Sequence, residues 1–181
     1  MDPDAQPALI GLGANLGDGA RTLRAALDAL AKRPGCRVAA TSALYRSAPV
    51  DAQGPDYWNA VALIRTTLTP LALLDALQEI ERAHGRVRPA GVHNAPRTLD
   101  LDVLDFAGRR LSHPRLALPH PRMHLRAFVL VPLADILPDW TLPDGRRAVD
   151  AARSLLAQGQ RVESMDAAEA ATQAPWDAKI R

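Results

Sequence analysis

Asp100 and Asp102 stand two residues apart in an apolar run, "PRTLDLDVLDF" (Pro96–Phe106), directly after Arg97. Side chains of a β-strand alternate faces. The two carboxylates therefore point one way, and Leu99, Leu101 and Val103 point the other. Two like charges held side by side are costly unless water, an arginine or a cation compensates them. Two readings fit the pair taken alone: a solvated face on an edge strand, which is the commoner case, or a site for a hard cation. Mg²⁺ is held by one or two carboxylates together with substrate phosphates.

The neighbourhood favours the second reading. The preceding loop carries Arg86, Arg88 and Arg97. Arginine binds phosphate oxygens bidentately and stays charged at any working pH. Carboxylates beside arginines suit phosphoryl transfer, where a metal bridges phosphate oxygens and the arginines neutralise charge. The same loop contains Gly91, Pro89 and Pro96, and is expected to close over the site. Neither a GxxxxGK[ST] phosphate loop nor an HRD or DFG motif is present. "GLGANLG" has glycines at 11, 13 and 17, the wrong spacing for a dinucleotide fingerprint, and reads as a strand-to-helix turn.

Two further groups could do chemistry. In "DYWNA", Tyr57 and Asn59 share one strand face and Trp58 takes the other. An aromatic plate beside an amide suits a flat heterocycle. A core tyrosine beside a turn asparagine fits the same residues equally well. In "LPHPRMHLRAF", His120 lies between two prolines, ahead of Arg122, Arg126 and Phe128. Such a histidine is usually structural, but beside phosphates it could donate a hydrogen bond.

These residues need elements to hold them. "ALIGLGANLG" begins as a strand. From Asp18 a helical period places Leu23, Ala26, Leu27 and Leu30 on one face, ending at Arg33–Gly35. Cys36–Ser47 and Asp56–Leu68 read as strands. Thr69 followed by Pro70 starts a second helix, with Leu73, Leu74, Leu77 and Ile80 as its stripe. The aspartate strand follows. Residues 107–124 are loop-rich with short extended pieces. Leu125–Leu137 reads as a helix ended or kinked by Pro132, and Ala148–Ala157 as a short helix. The order β-α-β-β-α-β-α predicts an α+β, ferredoxin-like sandwich: a mainly antiparallel sheet with helices packed on it. Residues 1–161 form one expected domain, and 162–181 a polar, Ala-rich tail.

The whole chain sets bounds. Its 181 residues are 48% hydrophobic and 23% charged, enough for one real core. Three Trp, two Tyr and two Phe leave most of that core to aliphatic residues. A net charge of +2 is too small to imply nucleic-acid binding through bulk charge. The single Cys36 rules out an intrachain disulfide, and the five histidines show no zinc-ligand spacing. The N-terminus does not read as a signal peptide, and no apolar stretch reaches the roughly 20 residues of a membrane span. A cytoplasmic protein is expected, with neither membrane nor nucleic-acid partner.

Taken together, "GLGANLGD", "SALYRSAP", "DYWNAV", "RVRP", "PRTLDLDVL", "LALPHPRMHLRAFVLVPL" and "LPDG" resemble the 6-hydroxymethyl-7,8-dihydropterin pyrophosphokinases of folate biosynthesis. The resemblance runs from about Leu9 to Gly145. It implies transfer of the β,γ-pyrophosphoryl unit of ATP to the pterin hydroxymethyl group, leaving AMP. It implies that Asp100 and Asp102 hold two Mg²⁺ ions along the ATP phosphates, with Arg86 and Arg97 on the phosphates and Arg88 in the same loop. Gln78, Glu81, Arg115, His120 and Arg126 match nucleotide-side positions. Tyr57 and Phe128 would sandwich the pterin, Asn59 would pair with its edge, and Ser47 and Val50 would complete its pocket. ATP and the pterin are the implied partners, and a monomer is expected. The family's loop tryptophan is replaced by Asn94, and its aromatic role does not pass to His93. Ala48 stands where a proline is common, and the loop is one residue longer. A metal-dependent phosphohydrolase would share the Asp pair but need no pterin. An RNA-binding ferredoxin-like module would need exposed aromatics on a basic sheet, which this composition lacks.

Overall fold

A computed structural model describes residues 3–49, 54–85 and 98–165. Its element order is β1 (Gln6–Ala14), α1 (Gly19–Ala31), β2 (Cys36–Thr41), β3 (Tyr45–Ser47), β4 (Tyr57–Thr66), α2 (Pro70–Ala83), β5 (Asp100–Phe106), β6 (Leu111–His113), β7 (Leu116–Leu118), α3 (Ala127–Ile136), α4 (Ala148–Ala157) and β8 (Val162–Ser164). The main sheet runs β5-β1-β4-β3-β8, with β2 also on β4, and β6–β7 forms a separate hairpin. Every pairing in the sheet is antiparallel. The expected α+β sandwich is present, with one addition: helices cover both faces.

Local chemistry accounts for the helices. Asp18 caps α1 by accepting from Arg21 N–H at 3.0 Å, and Thr69 caps α2 by accepting from Ala72 N–H at 3.3 Å. The expected stripes are buried, Leu23, Ala26, Leu27 and Leu30 on α1 and Leu73, Leu74, Leu77 and Ile80 on α2. They close over Ala8, Ile10 and Leu12 of β1 and Ala62 and Ile64 of β4. On the other face Leu9, Val61 and Leu104 meet Leu130 and Leu133 of α3 and Ala151 and Leu155 of α4.

Three expectations need correction. The strand read as Cys36–Ser47 is two strands. Between them Ser42 Oγ accepts from Val61 N–H at 3.0 Å, and Asp135 of α3 accepts from Ala43 N–H at 2.7 Å, so the backbone leaves the ladder. The helix read from Leu125 starts at Ala127, because Arg126 is extended and separates α3 from a 3-10 turn at Met123–Leu125. Pro132 lies inside α3 without ending it. Lastly, Gly11 and Gly13 belong to β1 itself, and only Gly17, with φ +65°, serves the turn. Apart from these, residues 162–164 at the start of the expected tail form β8, which pairs with β3.

Candidate active site

β1 and β4 cross the sheet side by side, with β5 as the outer neighbour of β1, and their registers build the site. Gly11 lies opposite Asp102 on one side and Val61 on the other, and Gly13 lies between Asp100 and Asn59. These positions share the face opposite the Ile10–Leu12 core. Two glycines in a central strand leave a trough there, walled by the Asp100–Asp102 pair and by Tyr57 and Asn59. A Cβ at Gly13 would come no nearer than 3.9 Å to any side chain, so the trough is real space. Arg122, Arg126 and Phe128 close it from the start of α3, giving a cavity of about 110 Å³ that Ser47, Ala48, Leu104 and Val129 also line.

The Asp pair sits as the alternation of β5 requires. Leu101 and Val103 are buried under α1 and α2 while Asp100 and Asp102 are half-buried on the trough side. Leu104 continues the trough-side parity, and a register shift opposite Leu9/Ile10 then inverts the alternation, so that Phe106 joins the opposite core.

Asn59, 3% exposed, is fixed by its neighbours. Its Nδ2 donates to Ser47 Oγ at 2.9 Å and to the Tyr57 carbonyl at 3.1 Å. A carbonyl can only accept, so the amide orientation is settled, and Oδ1 is left on the Gly13 side as an acceptor. Trp58 takes the other face, as expected, packing against the start of α1. There Gly19 leaves no room for a Cβ, which would lie 2.3 Å from the indole.

His120 follows the cis Leu118–Pro119 bond. Its backbone N–H donates to the Leu104 carbonyl at 2.8 Å, and its Nδ1 accepts from Arg122 N–H at 3.2 Å. Burial, reinforced by Arg126 and Arg122, pushes its pKa down to about 4. The neutral ring therefore carries its proton on Nε2. Arg126 lies 5.5 Å from the Phe128 ring centre, over its face.

Of the nucleotide-side candidates, Gln78, Glu81 and Arg115 lie on α2 and the hairpin, away from the trough lining that includes Arg126. Arg115 forms an ion pair with Asp75, one turn before half-buried Gln78. Glu81, one turn further on, is 2% exposed. Its Oε1 accepts from Leu101 N–H at 2.8 Å, satisfying a donor on the open edge of β5 between the two aspartates. Val50, Arg86, Arg88, Arg97, His93 and Asn94 lie outside the described residues.

Sequence reasoning missed Arg122, Ala48, Leu104 and Val129 as lining, and misread Gly11 and Gly13. Glycine at alternate strand positions was the available signal for the last two.

A family model described as 7,8-dihydro-6-hydroxymethylpterin-pyrophosphokinase (HPPK) matches residues 9–138. The chain belongs to this family. The 2-amino-4-hydroxy-6-hydroxymethyldihydropteridine pyrophosphokinase of Pseudomonas aeruginosa is 50% identical over 142 residues, 78% of this chain and 86% of the relative. The Haemophilus influenzae protein of that name is 45% identical over 140 residues, 77% and 86% of the two chains. In fold, the chain is similar to the HPPK-DHPS of Plasmodium falciparum, with a TM-score of 0.67 at 12% identity, covering 85% of this chain and 45% of that one. The matched residues include the trough strands and the start of α3, so the family's share of this chain is the part that carries the site.

The donor set suits Mg²⁺. Among the described residues no cluster of three or more His, Cys, Asp or Glu could hold a metal. Two hard carboxylates on one strand face, leaving further positions to phosphate and water, match how Mg²⁺ is usually bound.

Proposed function

We propose that the trough transfers the β,γ-pyrophosphoryl group of ATP to the hydroxyl of 6-hydroxymethyl-7,8-dihydropterin, giving the pterin diphosphate and AMP. The observation that carries this reading is one cavity joining the Asp100–Asp102 pair to Tyr57, Asn59 and Phe128. The pterin ring lies between Tyr57 and Phe128, and Asn59 Oδ1 accepts from an N–H on its edge. Ser47 serves indirectly by holding the Asn59 amide. Val50 completes the pterin wall.

Asp100 and Asp102 hold Mg²⁺, two ions in this reading. When bound, the metal neutralises phosphate charge and stabilises what develops on the transferred group. The pterin hydroxyl oxygen attacks the β-phosphorus in line, and the bond from that phosphorus to the α-phosphate bridging oxygen breaks. Arg86, Arg97 and Arg126 neutralise the phosphates, with Arg88 beside them. His120 donates from Nε2, and being neutral it adds no charge to compete with the arginines. Gln78, Glu81 and Arg115 lie on the nucleotide side. Glu81 acts there through its hold on the backbone between the aspartates. In this reading the enzyme works as a monomer, in the cytoplasm.

Incubation of the protein with ATP, Mg²⁺ and the pterin alcohol tests the reading. AMP and pterin diphosphate formed in equal amounts, and only with the pterin present, is the expected result. ADP or phosphate released without pterin would instead mark a phosphohydrolase.

A further inference from the structure

Beyond residue 138, where the family match ends, the chain returns to the site. After α4 it passes Gly159 and reaches Gln160, whose side chain sits at the junction between the 3-10 turn and α3. Gln160 Oε1 accepts from Ala127 N–H at 2.8 Å, and its Nε2 donates to the Leu125 carbonyl at 2.9 Å. One amide thus ties both sides of Arg126. It also supplies the cap that α3 otherwise lacks, since Arg126 at that N-terminus makes no side-chain cap bond.

Two residues on, β8 pairs with β3, placing Val162 opposite Ser47. The same short segment therefore touches both walls of the trough: Arg126 and Phe128 through Gln160, and Ser47 through β8. Phe128 packs on the cluster under α3 and α4 and also lines a second cavity of about 230 Å³, together with Ser47, Gly159, Gln160 and Val162. The ring thus borders both cavities, and the backbone that carries it helps to set its place.

We propose that Gln160 is a positioning residue for pterin binding, acting through the Leu125–Ala127 backbone to set Phe128 and Arg126. This rests on the pyrophosphokinase reading, because it supposes that Phe128 stacks on the pterin. Gln160 touches no substrate. Its amide chemistry is matched to the junction, one acceptor for a helix N–H and one donor for the preceding carbonyl.

The test compares wild-type protein, Gln160→Ala and Gln160→Glu at pH 7.5. Three readouts are used: steady-state kinetics with ATP, Mg²⁺ and the pterin alcohol, thermal midpoint, and amide exchange at Ala127 and Leu130. Gln160→Ala is expected to raise the pterin KM about tenfold with little change in kcat or midpoint, and to speed exchange at Ala127 but not at Leu130. Gln160→Glu keeps the acceptor for Ala127 at a helix N-terminus, where a carboxylate is favoured. It should bring the pterin KM back to within about threefold of wild type. An unchanged KM in folded Gln160→Ala overturns the proposal. So does a loss that follows the midpoint and is not relieved by Gln160→Glu. Wild-type protein that fails to use the pterin contradicts the pyrophosphokinase reading itself, and unchanged Ala127 exchange in Gln160→Ala then overturns the brace separately.

Discussion

The two faces of the sheet are made from the same strands and do opposite things. Under α1 and α2 the face is sealed: Ile10, Leu23, Leu30, Ile64, Leu73 and Leu77 are fully buried and touch one another in a single cluster. Under α3 and α4 the face is sealed only in part. Leu9, Val61 and Leu104 pack on α3, but further along Gly11 and Gly13 carry no side chain, and Asn59, Asp100 and Asp102 take the places of aliphatic residues. Strand alternation makes this division possible. Each of β1, β4 and β5 presents core residues at one parity and site residues at the other, so the polar face leans on a foundation that it does not have to supply.

That division can be broken from either side. The largest effect on stability is expected from the sealed face. Leu73→Ala removes a fully buried side chain and should cost about 2–5 kcal/mol in a denaturant titration, while pterin and ATP affinities of the folded fraction stay unchanged. Gly19→Ala attacks the same face by overpacking. Its new methyl would overlap the Trp58 ring, and a loss of about 1–3 kcal/mol is expected by the same titration. Normal stability in that variant would show that the α1–Trp58 contact yields easily.

From the open face, Asn59→Ala should weaken pterin binding by roughly 1–3 kcal/mol, since a polar edge of the ring loses its partner, with ATP binding nearly unaltered in calorimetry. The most gradual effect is electrostatic. His120 has a folded pKa of about 4 against an ordinary 6.5, so the unfolded chain takes up the proton first. Stability of the metal-free protein should therefore fall as pH drops from 6.5 towards 4, by at most about 1.4 kcal/mol per pH unit from this group. Above pH 6.5 the contribution is flat. His120→Gln should remove that slope, and an identical pH profile in the variant would mean that the ring titrates normally.

What the sequence revealed follows the same division. The sealed face was legible because it depends on local rules: the α1 and α2 stripes, the caps at Asp18 and Thr69, and the alternation that set Leu101 and Val103 against Asp100 and Asp102. The open face depends on which distant strands meet. Gly11 and Gly13 become a trough floor only once Asp102 and Asn59 stand beside them. The break after Thr41 depends on Asp135, some ninety positions away. The cap on α3 comes from Gln160, which no helix rule near Ala127 could have named. Glu81 was marked as a nucleotide-side residue by resemblance, and its bond to Leu101 adds a structural duty that spacing could not show.

The claim that the open face is a site and not a support is tested most directly at the Asp pair. Asp100→Asn and Asp102→Asn keep size and strand geometry while each removes one charge. Pterin diphosphate formation with ATP and Mg²⁺ would be followed alongside a ligand-free thermal melt of the same proteins. Turnover should fall by orders of magnitude, in line with the several kcal/mol that metal ions contribute to phosphoryl transfer. The midpoint should hold or rise slightly as repulsion is relieved. Either variant melting like wild type and keeping near-normal, Mg²⁺-dependent turnover would contradict the assignment of Asp100 and Asp102 as the metal-holding pair.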